Sequence, residues 1–159
     1  MTNRAIFTVD EAKKRMEKYC SYQERCHQEI ETKLNEMRLI IEARELIILH
    51  LLEHDFLNEE RFSRSFARGK FRIKKWGKQR IIRELKFRNI SEYNIKSALL
   101  EIDENDYYKT FNELVQKRMS NINETDINKK RKKLADYLFY RGWETDLVYE
   151  KLSELIPYN

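Results

Sequence analysis

Apolar residues recur three and four positions apart along nearly the whole chain, the spacing that gathers side chains on one face of a helix. Ile30, Leu34 and Met37 form one such edge, Ile81 and Leu85 another, and Ile95, Ala98, Leu99 and Ile102 a third. The spacing predicts nine helices. Thr8 followed by Glu11 makes a capping box for the first, which should run to about Gln23 or Arg25. The second begins near Cys26 or His27, and the third, around Ile41 to Leu52, carries Leu46 and Leu49. Asn58 can cap the fourth, on which Phe62, Phe66 and Ile73 share a side, and Trp76 with Gly77 mark its stop. The fifth spans about Lys78 to Arg88, Ser91 can cap the sixth, and the seventh extends from near Asp106 to Met119. Ser120 to Asn128 has almost nothing to bury and is expected to be a flexible loop. The eighth and ninth helices follow from about Asn128 to Tyr140 and Thr145 to Leu155.

A longer period lies over the helical one. Leu34, Leu85 and Leu138 each have an aliphatic residue four positions earlier (Ile30, Ile81, Leu134) and an apolar residue five later (Leu39, Ile90, Trp143). Ile95 and Leu99 correspond in the same way to Val148 and Leu152. Gly142 falls where Asn89 stands one unit earlier, and both residue types suit a left-handed turn between helices. Arg38 holds that place in the first unit. A helical unit of roughly 50 residues that buries a face against its neighbour is the mark of a tandem array. The expected fold is all-α, an elongated array of three tandem three-helix repeats at residues 8–55, 56–102 and 103–159.

Composition agrees with helices. Three glycines and one proline in 159 residues leave little turn chemistry for sheets. With 37% charged residues and no long apolar run, a membrane span is not expected. The N-terminal MTNRAIFTVDE has neither an apolar core nor a small-residue cleavage site, so a cytoplasmic location is the expectation. Cys20 and Cys26 are too few for a disulfide framework and are expected to be buried, inert thiols.

Charge changes the picture in one place. The net charge is +5, but Arg61 to Arg88 alone holds twelve basic residues against one acid, Glu84. Arg61, Arg64, Arg68, Arg72 and Lys75 recur at helical spacing and form a stripe on the face away from Phe62 and Phe66. A face serving only solubility would mix the two signs and gain from their pairing, so this one points to a polyanion or an acidic partner. Lys129 to Lys133 add a second basic cluster, while acids gather at Glu53 to Glu60 and at Glu101 to Asp106.

Catalytic chemistry is not in view. No nucleophile and base, carboxylate pair or phosphate-binding glycine loop stands out, and Gly69 and Gly77 are isolated. His50 and His54 could share a helical face as metal ligands but lack a third ligand at recognisable spacing. No cofactor or metal is expected. Phe62, Phe66, Tyr137 and Trp143 lie on apolar stripes and are assigned to the core; Tyr22 and Trp76 are less clearly placed, and base stacking is not assigned.

Three phrases resemble the RecX family of bacterial recombination regulators: YCSYQERCHQEIETKL (Tyr19 to Leu34), DFLNEERFSRSFARGKFRIKKWGKQRIIRELKFRNIS (Asp55 to Ser91) and LADYLFYRGWETDLVYEKL (Leu134 to Leu152). The central phrase is the most specific, for its order of FLNEERF, basic helix and WGK. The family's glycine after the second-unit leucine is Asn89 here. The resemblance implies a non-enzymatic protein of three tandem three-helix repeats that lies in the groove of the RecA–DNA filament and lowers its ATPase, strand-exchange and coprotease activities. On that reading the contacts to DNA phosphates or acidic groove walls come from Arg64, Arg68, Lys70, Arg72, Lys74, Lys75, Lys78, Arg80 and Arg83, with Lys130, Lys132 and Lys133. Single- and double-stranded DNA are the expected ligands and a monomer the expected state. A helix-turn-helix protein reading bases through Gln79, Arg80 and Arg83 is the alternative, and a small nuclease a third.

Overall fold

A computed structural model describes residues 7–158, so Met1–Ile6, within the stretch inspected for an export signal, and Asn159, the last residue of the third expected repeat, lie outside it. All regular structure among the described residues is helical: α1 Val9–Tyr22, α2 His27–Glu36, α3 Ile41–Glu53, α4 Glu59–Lys74, α5 Lys78–Phe87, α6 Glu92–Leu99, α7 Glu104–Asn121, α8 Ile127–Tyr140 and α9 Thr145–Leu155. None is long and apolar enough to cross a membrane. The accessible surface of 10738 Å² exceeds the roughly 8,600 Å² of a compact monomer of this mass, as an extended array requires.

Local chemistry sets most helix starts. Thr8, Asn58 and Ser91 each accept the third following backbone N–H, from Glu11, Arg61 and Asn94. Asp103 and Asp126 do the same for Asp106 and Lys129, so α7 and α8 begin slightly earlier than the apolar spacing suggests. The Ser120 to Asn128 loop is correspondingly shorter than expected. Its ends join α7 and α8 because Ile122 and Ile127 find apolar partners in the core.

The unit pattern appears directly in the packing. Ile30 with Leu34, Ile81 with Leu85 and Leu134 with Leu138 are all fully buried, each side chain contributing roughly 1.5 to 3 kcal/mol. Arg38, Asn89 and Gly142 follow these helices with φ of 56°, 58° and 88°. In the second and third cases the turn closes through the same two backbone bonds, Asn89 N to Lys86 O with Ile90 N to Leu85 O, and Gly142 N to Phe139 O with Trp143 N to Leu138 O. Arg38 makes the first of these, to Asn35 O, and tolerates the left-handed backbone despite its side chain.

Two cores result. Ala12, Met16, Cys20, Ile30, Leu34, Ile47, Leu51 and Leu57 close the first three helices on themselves. The other six share one continuous core, in which Trp143 lies against Tyr107 and Phe111 at ring separations of 4.6 and 5.1 Å. Cys26 is buried with this larger core and Cys20 with the smaller. Burial raises both thiols to about 11, leaving little thiolate at neutral pH.

Two apolar assignments change. Ile73 is 78% exposed, because α4 instead buries Phe62, Ser63, Ala67 and Phe71. On α3 the inward residues are Ala43, Ile47 and Leu51, which turns Leu46 and Leu49 to solvent. That helix is apolar on most sides, so spacing alone does not select its buried face.

Candidate nucleic-acid interface

α4 and α5 carry the basic segment, and their junction departs from the expected Trp76–Gly77 stop. α4 ends at Lys74 with Lys75 in the left-handed region at φ 58°. Lys75 N–H donates to Phe71 O and Trp76 N–H to Lys70 O. Gly77 is the first cap of α5 and has an ordinary φ of −76°. Its missing side chain serves a long-range contact, since a Cβ there would lie 2.4 Å from the Gly142 carbonyl oxygen. The first amides at the start of α5 are taken up by α7 and the turn after α8: Gly77 N–H by Arg141 O, Lys78 N–H by the Tyr107 hydroxyl and Gln79 N–H by Gly142 O. Tyr107 donates in turn to Glu144, and burial with that carboxylate pushes its phenol well above the usual range.

Along α4 the cations divide. Arg61 pairs with Glu24 at 2.6 Å and Asp55 at 2.9 Å and donates to the Asp55 and Phe56 carbonyls, which ties α4 to the α1–α2 loop and to the turn before it. The Asn58 amide and then Arg61 hold the Asp55 carboxyl below its ordinary value. Arg64 meets Glu60 at 2.8 Å and Ser97, and Arg68 meets Glu101 at 3.2 Å. Glu101, which the sequence groups with a separate acidic cluster, is carried onto this stripe by the α4–α6 packing. Arg64 and Arg68 are therefore compensated cations, not the open ones expected from helical spacing.

From Lys70 to Lys86 compensation stops, and it resumes at Arg88, which pairs with Glu84 at 3.0 Å. Lys70, Arg72, Lys74, Lys75, Lys78, Arg80, Arg83 and Lys86 have no carboxylate within 4.0 Å among the described residues. Arg72, Lys74, Lys75, Arg83 and Lys86 are exposed. Lys70, Lys78 and Arg80 are half-buried, with their charged ends over aromatic rings: the Lys70 ammonium over Phe66 and Trp76, the Lys78 ammonium over Tyr107, and the Arg80 guanidinium over Trp76 and Tyr140. The five exposed cations are open to an anion.

The second cluster is weaker than its sequence. Lys132 pairs with Asp136 at 2.6 Å and Lys133 with Glu124 at 3.3 Å. Arg131 is buried and donates to the Leu152 and Ile156 carbonyls, satisfying the end of α9. Lys130 has no such partner among the described residues. Of the candidate metal ligands, His50 engages Glu17 at 2.7 Å while His54 contacts the His50 carbonyl. No group of three potential ligands forms among the described residues. Ser97, Glu101 and Tyr140 join this surface without any local signal, since each depends on a contact with a distant helix.

Comparison with known proteins adds family to geometry. Residues 58–99 match the family profile described as RecX, second three-helix domain, and residues 104–152 that of RecX, third three-helix domain. The chain is 31% identical over 135 residues to the Regulatory protein RecX of Clostridium acetobutylicum, covering 82% of this chain and 62% of that one. With the protein of the same name from Clostridioides difficile it shares 24% over 115 residues, covering 72% and 54%. The chain thus spans about half to three fifths of these relatives' lengths. The crystal structure of RecX from Lactobacillus salivarius has a TM-score of 0.78 at 21% identity over 92% of this chain and 96% of its own. A second, the crystal structure of regulatory protein RecX, reaches 0.80 at 23% over 92% and 73%. The fold is shared with both.

Proposed function

The chain belongs to the RecX family, and from that premise we propose that it is a non-enzymatic, cytoplasmic regulator that binds the RecA–DNA filament and restrains its ATPase, strand-exchange and coprotease activities. The observation that carries the proposal is the run of uncompensated cations from Lys70 to Lys86 on an extended helical array. Carried at physiological salt, so much unpaired charge on one surface favours association with a polyanion. Phosphates of filament-bound DNA and acidic groove walls supply one. The curated relatives' name, Regulatory protein RecX, supports a regulatory role.

In this reading the array acts as a monomer and touches more than one filament subunit. A ligand that bridges subunits stabilises the arrangement it fits, and so opposes motions that turnover and strand exchange require. Within the three-repeat division at residues 8–55, 56–102 and 103–159, the central repeat supplies most of the contacts, with Lys130, Lys132 and Lys133 in a lesser role. Arg64 and Arg68 contribute shape more than charge. The helix-turn-helix alternative is less well supported. A recognition helix offers its N-terminal residues to the base edges, yet that end of α5 is engaged by Arg141, Gly142 and Tyr107, and Arg80 is occupied with Trp76 and Tyr140.

The test is the DNA-dependent ATPase of the host RecA with substoichiometric protein, beside a variant carrying Arg72→Glu, Lys74→Glu and Lys75→Glu. The expected result is inhibition by the native protein and its loss in the variant with an unchanged thermal melt. Equal inhibition by both would remove the basic surface from the account. No effect of either, with tight binding to bare DNA, would instead favour a protein acting on DNA directly.

A further inference from the structure

Tyr140 is the last residue of α8, and its side chain is 69% exposed although the residues around it in sequence, Leu138, Gly142 and Trp143, are buried. It is nonetheless held in place. The Gly142 turn brings the end of α8 against the start of α5, where a Cβ on Gly142 would strike the Arg80 backbone. From there the Arg80 guanidinium donates to the Tyr140 carbonyl at 3.1 Å and lies over the Tyr140 ring at 4.7 Å. The same guanidinium lies over the Trp76 ring at 4.2 Å, and the Lys70 ammonium lies over Trp76 at 5.0 Å. Lysine, indole, guanidinium and phenol form a continuous set that crosses from α4 through α5 to α8, with the tyrosine ring outermost.

We propose that Tyr140, positioned by Arg80 and Trp76, is a stacking platform for an unpaired base of single-stranded DNA whose phosphates lie on the neighbouring cations. The inference rests on the basic surface proposed above and goes beyond it by naming the form of nucleic acid this end of the surface selects. Each part has a chemical reason. Stacking on an aromatic face needs a ring that is open to solvent yet fixed, since ordering a free side chain would offset the gain. Arg80, anchored on the Tyr140 main-chain carbonyl, covers one face of the ring and leaves the other, on a residue 69% exposed, for the base. Arg83 and Lys78, on the same helix as Arg80, have no carboxylate partner among the described residues and can take the phosphates flanking the stacked base. A duplex presents phosphates to these cations equally well but keeps its base faces covered, so the ring discriminates only for single strands. Two other exposed tyrosines, Tyr158 and Tyr93, lack this setting. Tyr158, 70% exposed, also lies under a guanidinium, but that of Arg131, a buried residue of α8 that donates to the Leu152 and Ile156 carbonyls and does not belong to the α4–α5 cations. Tyr93, 73% exposed, follows Glu92 at the start of α6.

The experiment measures binding of a fluorescent thymidine oligonucleotide and of a duplex of equal length, at one salt concentration and then across several. The native protein, Tyr140→Ala, Tyr140→Phe, Tyr93→Ala and the Arg72→Glu, Lys74→Glu, Lys75→Glu variant are compared, each with its thermal melt. Tyr140→Ala is expected to weaken single-strand binding about tenfold, the loss of one stacked base. Its duplex affinity and salt slope should stay native, because no phosphate contact is removed. Tyr140→Phe and Tyr93→Ala should both bind natively. Native single-strand affinity in Tyr140→Ala, or equal losses on single strand and duplex, would overturn the platform. Should the triple variant lose both ligands while Tyr140→Ala loses neither, only the platform falls. Native binding by the triple variant would bring down the basic-surface reading itself.

Discussion

The two ends of α4 have similar sequences and opposite roles. Both are rich in arginine and lysine at helical spacing, yet Arg61, Arg64 and Arg68 face Glu24, Asp55, Glu60 and Glu101, whereas Lys70, Arg72, Lys74 and Lys75 face no acid among the described residues. The difference comes from what packs beside each end. The N-terminal half lies against the α1–α2 loop and the end of α6, both of which bring carboxylates. The C-terminal half lies toward α5 and the Tyr140 end of α8, which bring aromatic rings and more cations. A count of basic residues thus overstates the binding surface, and the excess is spent on joining helices.

Breaking the compensated end should show in stability. Arg61→Ala would leave Glu24, whose second oxygen is buried without a partner, facing α4 with no counter-charge. Chemical denaturation is expected to show a loss of about 2 kcal/mol, in the range for orphaning a partly buried charge. The variant should keep the native salt dependence of DNA binding. A native midpoint would mean that Arg61 is free for ligand after all.

Lys75 sharpens the contrast from the other end. A non-glycine residue in the left-handed region is strained by roughly 1 kcal/mol, so Lys75→Gly should gain up to that amount of stability while losing affinity for DNA about two- to threefold. A variant that is more stable and binds more weakly is what a residue serving the ligand predicts. Unchanged affinity would exclude Lys75 from the contact.

The smallest effect is expected from Glu101→Gln, which releases Arg64 and Arg68 from their shared carboxylate. DNA affinity at low salt should rise about twofold with stability within about 0.5 kcal/mol of native, as for an exposed ion pair. A fall in affinity would show that the acid positions these arginines for the ligand.

These contrasts mark how far the sequence could be read. The caps at Thr8, Asn58 and Ser91 and the buried pairs Ile30–Leu34, Ile81–Leu85 and Leu134–Leu138 are legible because each depends on residues within one or two turns. The left-handed turn at Asn89 and Gly142 is legible for the same reason. Arg61 is not: its partner Glu24 is 37 residues away. Glu101, Gly77 and Arg131 fail similarly, because an acid, a glycine or an arginine acquires its task only when another helix arrives. Ile73 and Leu46 show a further limit, since a helix with apolar residues on two sides does not declare which side is buried until its neighbours are in place.

The two ends of α4 should bind DNA unequally, and the most direct measurement is the salt slope of DNA affinity for two matched double variants. Arg72→Gln with Lys74→Gln removes two open cations, and Arg64→Gln with Arg68→Gln removes two compensated ones. Each phosphate contact contributes roughly 0.7 to 0.9 to the slope of log affinity against log salt. The predicted result is a slope shallower by about 1.5 for the first variant and close to native for the second; equal reductions in both would contradict the division.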